Sequence, residues 1–261
     1  MTILDKIVAT KWQEIERNKA NRSTGDLEKM PFFERDTLSL RQFILDPSKT
    51  GIIAEFKRKS PSKGIINGNS SPEEVTAQYT SSGASGLSIL TDMDYFGGSE
   101  QDVLASRFNN IPILRKEFIL DEYQILEAKA MGADVILLIA ACLSSADVKR
   151  LAAFAQSLQL EVLLELHDEA ELEHMNVYTG IVGINNRNLK TFEVDIDKSL
   201  VMAERIGSAA VRVAESGIQS VQDIHTFKSA GFDGFLIGER FMKEPDPGKA
   251  FAQFVEQINK G

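Results

Sequence analysis

The sequence predicts an α/β fold, a (β/α)8 TIM barrel preceded by a helical extension. Eight short apolar runs alternate with amphipathic segments. The runs begin about 20–35 residues apart, the spacing of βαβ units that build a parallel sheet. Together they fill about 210 residues, the size of a closed eight-fold barrel. An open doubly wound sheet alternates in the same way, but no GxGxxG follows the first run. No Pro/Gly/Ser-rich linker divides the chain. The expected organisation is one barrel domain over 1–261, of which 1–48 form the N-terminal extension.

The extension reads as helix first. Ile3, Leu4, Ile7, Val8 and Ile15 recur at helical spacing. The acidic residues among them and the lack of a continuous apolar centre set this segment apart from an export signal. Trp12 is expected to pack the helix onto the barrel. A second short helix begins at Thr37, runs through SLRQFIL and stops at Asp46-Pro47. The strands then follow as IIAEFK (52–57), GLSILT (86–91), PILRKEF (112–118), DVILLIA (134–140), LEVLLEL (160–166), IVGINN (181–186), AVRVAE (210–215) and GFLIG (234–238). Helical stretches separate them: PEEVTAQYTSSG, EQDVLASRF, DEYQILEAKAMG, SADVKRLAAFAQSL, DEAELEHM, DIDKSLVMAERIG and SVQDIHTFKSAG. PDPGKAFAQFVEQI closes the chain as a final helix.

Composition narrows the function classes. The 261 residues carry 43% hydrophobic and 26% charged side chains, ordinary for a globular protein. The net charge of −9 argues against a partner that is nucleic acid or anionic membrane, since phosphate neutralisation needs clustered Lys and Arg. No apolar run reaches the roughly 18 residues of a membrane span. Cys142 is the single cysteine, so an internal disulfide and Cys–Cys metal motifs are both absent, and a cytoplasmic location is expected. Neither Cys142 nor His167, His174 and His225 has a nucleophile or base partner visible in the sequence, and all four read as structural.

The strands hold the chemistry. Alternate residues of a barrel strand face the interior or the helices. Ile53, Glu55 and Lys57 share one face; so do Leu114, Lys116 and Phe118. Leu163 pairs with Glu165, and Gly183 with Asn185 and Arg187. Val211 and Val213 pair with Glu215. Each face is apolar early and polar late. Which parity points inward stays open at this level. If the late charges face inward, they ring the C-terminal mouth, where barrel active sites sit. Arg115 and Glu117 have the opposite parity and read as solvent- or helix-side ion pairs. Three loops suit a phosphate: KSPSKG with Ser60, ESGI with Ser216 and Gly217, and IGERF with Gly238. Their small residues let backbone N–H groups approach an oxyanion. Phe96, Phe118, Leu137 and Leu189 are candidates for an apolar ring pocket.

These segments resemble a known family. IIAEFKRKSPSKG, LSILTDMDYFGGS, ILRKEFILDEYQI, ADVILLI, LEVLLELHDEAEL, VGINNRNLKTFEVD, VAESGI and FLIGERFM are similar to those of indole-3-glycerol phosphate synthase, in its monofunctional form. The likeness covers nearly the whole chain. It implies ring closure, decarboxylation and dehydration of 1-(2-carboxyphenylamino)-1-deoxyribulose 5-phosphate, with neither metal nor organic cofactor, in a monomer whose partner is that small phosphorylated substrate. It further implies catalytic roles for Glu55, Lys57, Lys116, Glu165, Asn185 and Glu215. Lys116 would be the acid at the ketone oxygen and Glu165 the acid–base carboxylate. Substrate contacts would fall to Ser60, Phe96, Phe118, Leu137, Arg187, Leu189, Ser216, Gly217 and Gly238. Two positions depart from the family pattern. Glu117 stands where many members have Asp, with little effect expected. Glu239 stands where some have Ser, and its side chain is expected to turn away from the phosphate. The competing readings are a different phosphate-handling barrel enzyme, such as a sugar-phosphate isomerase, and an inert barrel that binds a ligand. The first has no need of Glu55, Lys57, Lys116 and Glu165 together; the second has no need to keep the central charges.

Overall fold

The computed structural model describes residues 2–187, 194–207 and 209–260. Three helices come first: α1 (Ile3–Asn21), α2 (Thr24–Glu28) and α3 (Leu40–Leu45). After β1 (Ile52–Phe56) a small antiparallel hairpin forms from β2 (Lys59–Ser60) and β3 (Gly64–Ile65). The remaining strands are β4 (Gly86–Leu90), β5 (Ile113–Lys116), β6 (Val135–Ile139), β7 (Glu161–Leu166), β8 (Ile181–Asn185), β9 (Val211–Glu215) and β10 (Gly234–Ile237). Among the described residues, β1 and β4 to β10 pair in parallel and close a barrel, with β1 bonded to both β4 and β10. The outer helices are α4 (Pro72–Ser81), α5 (Met93–Phe96), α6 (Glu100–Ser106), α7 (Glu122–Ala130), α8 (Ser145–Ser157), α9 (Ile196–Arg205), α10 (Val221–Ser229), α11 (Glu239–Met242) and α12 (Pro247–Lys260).

The barrel decides the strand parity. Ile53, Leu114, Leu137, Leu163, Val213 and Leu236 form an inner cluster. Their neighbours of opposite parity, such as Ala54, Phe56, Leu138, Leu164 and Ala214, pack outward against the helices. Burying such a side chain contributes about 1.5–3 kcal/mol, so a one-residue register slip would lose the whole inner layer. The inward face of Ile53 is also that of Glu55. The late charges therefore point into the mouth.

Helix ends follow their capping residues. Thr2 and Asp5 form a reciprocal box at the start of α1, and Asp121 and Gln124 do the same at α7. The second helix read from the sequence starts at Leu40, capped by Ser39, rather than at Thr37. Thr37 instead donates its hydroxyl to the Gln159 carbonyl, and Leu38 N–H goes to Asp134. Those bonds hold the preceding chain extended across the barrel floor. There Leu40 and Ile44 of α3 plug the interior. The stretch DEAELEHM forms a 3₁₀ turn, Glu169–His174, rather than an α-helix. Glu171 within it reaches back to the His167 N–H, which pulls the turn tight.

Trp12 does not dock α1; it is 44% exposed. Ile7, Lys11 and Ile15 form the buried face instead. Lys11 is fully enclosed, with Nζ 2.8 Å from Glu14, 3.0 Å from Asp92 and 3.0 Å from Glu117. A buried ammonium is tolerable only with such partners. Glu117 thus reads as helix-side, as its parity implies, but it is buried rather than solvated. No described helix is long and apolar enough to cross a membrane.

Candidate active site

The C-terminal ends of the strands and the loops beyond them enclose one cavity. Glu55 and Lys57 enter from β1, Lys116 from β5, Glu165 from β7, Asn185 and Arg187 from β8, and Glu215 from β9. Ser60, Phe96, Phe118, Leu137, Ser216, Gly217 and Gly238 line the same space. Leu189 lies outside the described residues.

Lys116 is the hub. Its Nζ donates to Glu165 Oε2 at 2.9 Å and to Glu215 Oε2 at 2.6 Å. Asn185 Nδ2 donates to Glu165 Oε1 at 3.1 Å, on the side away from the lysine. On the neighbouring arc Lys57 Nζ donates to Glu55 Oε1 at 2.5 Å. Two glycines make these carboxylates possible. A Cβ on Gly183 would fall 2.0 Å from Glu215 Oε1, and one on Gly238 would fall 2.4 Å from Glu55 Oε1. No real carbon sits that close, so each glycine is a cut-out for an acid.

Burial splits the two carboxylates on Lys116. Burial pushes Glu215 up and Glu165's charge adds to it; Lys116 opposes them, and the result is about 7. Burial also works to raise Glu165, but Lys116 and His167 outweigh it and hold Glu165 well below the usual carboxylate range. Lys116 itself is lowered by burial and raised further by Glu165, Glu215 and Glu55, so it stays charged. One site thus holds an ionised carboxylate, a carboxyl able to keep its proton near neutrality, and a cation between them. Environments that push neighbouring groups apart assign acid and base roles.

The loop after β9 is built from strained backbone. Ser216 and Gly217 both adopt left-handed φ, 65° and 78°. A non-glycine residue there stores about 1–3 kcal/mol of strain. Asn186 Nδ2 donates to the Ser216 carbonyl at 2.6 Å and fixes the turn. Gly238 stands directly before α11 across the mouth. Phe96 and Phe118 pack as a tilted pair with ring centroids 6.1 Å apart, and Leu137 lines the same cavity. Ser60 sits on β2 at the cavity edge, and the loop's base is pinned by Arg58, which donates to both Asp102 oxygens at 2.7 and 2.8 Å.

Glu239 corrects an expectation. Its side chain does not turn away from the site. It lines the cavity, with Oε2 3.4 Å from Arg187 Nη2 and Oε1 3.9 Å from Lys63 Nζ. Two cations draw it inward. Sequence reasoning also missed Ile3, Leu4 and Ile7 of α1, which line the mouth. Their spacing marks a helix face, and nothing local says where that face docks. It missed His167 as well, whose Nε2 stands 3.1 Å from Glu165 Oε1. The available signal was position: His167 lies two residues beyond Glu165, on the same strand face.

The family model for indole-3-glycerol phosphate synthase matches residues 4–254. The indole-3-glycerol phosphate synthase of Bacteroides thetaiotaomicron is 45% identical over 257 residues, 98% of each chain. That of a Polaromonas species is 42% identical over 256 residues, covering 96% of this chain and 97% of its own. Among solved structures, a variant tryptophan synthase α-subunit from Pyrococcus furiosus superposes with a TM-score of 0.61 at 15% identity. It covers 82% of this chain and 99% of that one, a likeness of fold alone.

Proposed function

The chain belongs to the indole-3-glycerol phosphate synthase family, and from that premise we propose how its barrel mouth carries out the family's reaction. The enzyme is a carbon–carbon lyase of tryptophan biosynthesis. It converts 1-(2-carboxyphenylamino)-1-deoxyribulose 5-phosphate to indole-3-glycerol phosphate, carbon dioxide and water. An aromatic carbon attacks the ketone carbon, and the ketone π electrons move onto oxygen. Lys116 gives that oxygen a proton from Nζ, which reaches the carboxylates of both β7 and β9. Loss of carbon dioxide returns its bond pair to the ring. Glu165, held ionised, then removes a proton from the methylene beside the hydroxyl-bearing carbon, that C–H pair forms the new double bond, and Lys57, freed as the carboxylate departs, protonates the hydroxyl as it leaves as water. Glu215 keeps a proton near neutrality, which leaves Glu165 as the base of the pair.

Binding divides along the mouth. Lys57, braced by Glu55, holds the substrate carboxylate. Arg187 and Asn185 take carboxylate and hydroxyl oxygens. The Ser216–Gly217 turn, Gly238 and Ser60 hold the phosphate through backbone and hydroxyl donors. Phe96, Phe118 and Leu137 flank the ring. The proposal extends to a monomeric enzyme in the cytoplasm.

The convergence of Lys116 on both Glu165 and Glu215 carries this reading. Its test is turnover of the carboxyphenylamino sugar phosphate, followed by indole absorbance. Lys116→Ala and Glu165→Gln are each expected to lower kcat by roughly a hundredfold or more while product still binds. Near-parental kcat in Lys116→Ala would remove the assigned acid.

A further inference from the structure

His167 is a neighbour of the acid–base carboxylate that this scheme leaves unused. It follows β7 directly, ahead of the 3₁₀ turn Glu169–His174. Its side chain is only 10% exposed, with Nε2 3.1 Å from Glu165 Oε1 and Nδ1 3.7 Å from Glu171 Oε2. Neither contact is aligned as a hydrogen bond, so the attraction is ionic. Glu171 is itself fixed, since it accepts the His167 backbone N–H at 2.5 Å. A neutral imidazole has one donor nitrogen and one acceptor nitrogen. Here both nitrogens face carboxylate oxygens, which only accept, and that arrangement suits the imidazolium. Burial works against the charge, but the two carboxylates outweigh it and push His167 up to about 10. Behind Glu165 lie Lys116 from β5 and Glu215 from β9. The Cys142 thiol, in the turn after β6, is raised first by burial and then by Glu165 and Glu171, to about 12. It is therefore neutral and adds no charge to the cluster.

We propose that His167, seated on Glu171, is a positioning residue for ring closure and dehydration: its imidazolium aims Glu165 into the cavity and shares that carboxylate's charge with Lys116. The inference rests on Glu165 being the acid–base carboxylate of the scheme above. Its physical value lies in Lys116. Every carboxylate that leans on an ammonium makes it a weaker acid. With His167 on Oε1, Glu165 stays ionised after Lys116 has given up its proton. The base for dehydration is thus preserved through the step that consumes the acid.

Nitrogen-15 NMR on the whole protein reads the ring directly, with three histidines to assign. Both ring nitrogens of His167 are expected to stay protonated from about pH 6 to about pH 8.5. A neutral ring at pH 7 overturns the proposal. His167→Asn keeps a polar side chain without the charge. It is expected to lower kcat about tenfold with KM nearly unchanged, and to move the acid limb of the kcat–pH profile about one unit higher. The direction follows because Glu165, short of one cation, holds its proton more tightly. Glu171→Gln, which leaves His167 in place, is expected to bring the loss of the second ring proton to lower pH in the same NMR titration, since one carboxylate no longer holds the charge. A parental titration in Glu171→Gln, or a His167→Asn profile that superimposes on the parent, overturns the proposal. Glu165→Gln separates the two readings. Retained turnover there undoes the role of Glu165 itself; lost turnover there, beside a parental His167→Asn profile, undoes only His167.

Discussion

At the N-terminal end of the barrel Leu40 and Ile44 reach from α3 into aliphatic side chains, while at the C-terminal end the same strand faces carry Glu55, Lys116, Glu165 and Glu215. The glycines show the contrast at atomic scale. At the floor a Cβ on Gly86 would meet Leu40 Cδ1 at 2.5 Å; at the mouth the cut-outs at Gly183 and Gly238 admit acids. Both ends are tightly fitted. One fit lowers the free energy of the folded chain, whereas the other crowds like charges and strains the backbone at Ser216. Stability resides in the floor, and the mouth spends part of it on reactivity.

Breaking the floor gives the largest expected effect. Leu40→Ala, at a site with no exposure, should destabilise the protein by about 2–5 kcal/mol in chemical denaturation. KM for the protein that remains folded should not change. A change in KM would mean that the two ends are coupled.

Glu215→Gln sharpens the comparison in the opposite direction. Its folded value of about 7 lies above the ordinary 4.5, so the folded state binds this proton more tightly than the unfolded state. The stability this contributes is fully present below about pH 4.5 and is lost as pH rises through 7. The glutamine variant should therefore be more stable than the parent at pH 8, by about 1–3 kcal/mol, and close to it at pH 4. It should also turn over far more slowly. Thermal denaturation across that range checks the sign; equal melting at pH 8 would show that the ionised carboxylate sits there without strain.

The smallest expected effect concerns the field outside the mouth. Lys57, Lys116 and Arg187 are deep-set, with side chains 16%, 13% and 23% exposed, in a chain of net charge −9. Added salt should screen the distant negative charge more than these cations, so KM for the anionic substrate should fall as ionic strength rises. Glu239→Gln removes a carboxylate from the cavity wall beside Gly238. It should lower KM about two- to threefold and flatten the salt dependence. A KM that climbs with salt would place the binding cations in the screened zone.

The mouth was largely legible in the sequence because a charge in an apolar strand is conspicuous. Glu165 interrupts VLLEL, and Lys116 and Glu215 end their strands. The inner parity needed the barrel, since Ile53 and Ala54 look equally apolar. What local sequence could not carry is docking. Lys11 owes its burial to Asp92 and Glu117, which arrive from elsewhere in the fold, and Trp12 reads as buried until Lys11 takes that place. Glu239 departs from its expectation for a related reason. Repulsion from a phosphate predicts an outward side chain, but Arg187 and Lys63 arrive from elsewhere in the chain and pull it inward. His167 gains its second carboxylate from Glu171, in the turn that follows β7.

The Lys11 cluster bears on how this protein can be shortened. Glu117 adjoins Lys116 in the chain, and its other carboxylate oxygen accepts from the Thr91 hydroxyl at 2.7 Å. A deletion carried past Lys11 to widen the entrance would take the ammonium away from Asp92 and leave Glu117 to Arg115, 3.9 Å away. Glu117 would then carry a less balanced charge on the rung beside Lys116. Trimming that stops before Ile7 uncovers the cavity without disturbing this joint, which makes the span between Ile7 and Lys11 the natural limit for minimising the enzyme.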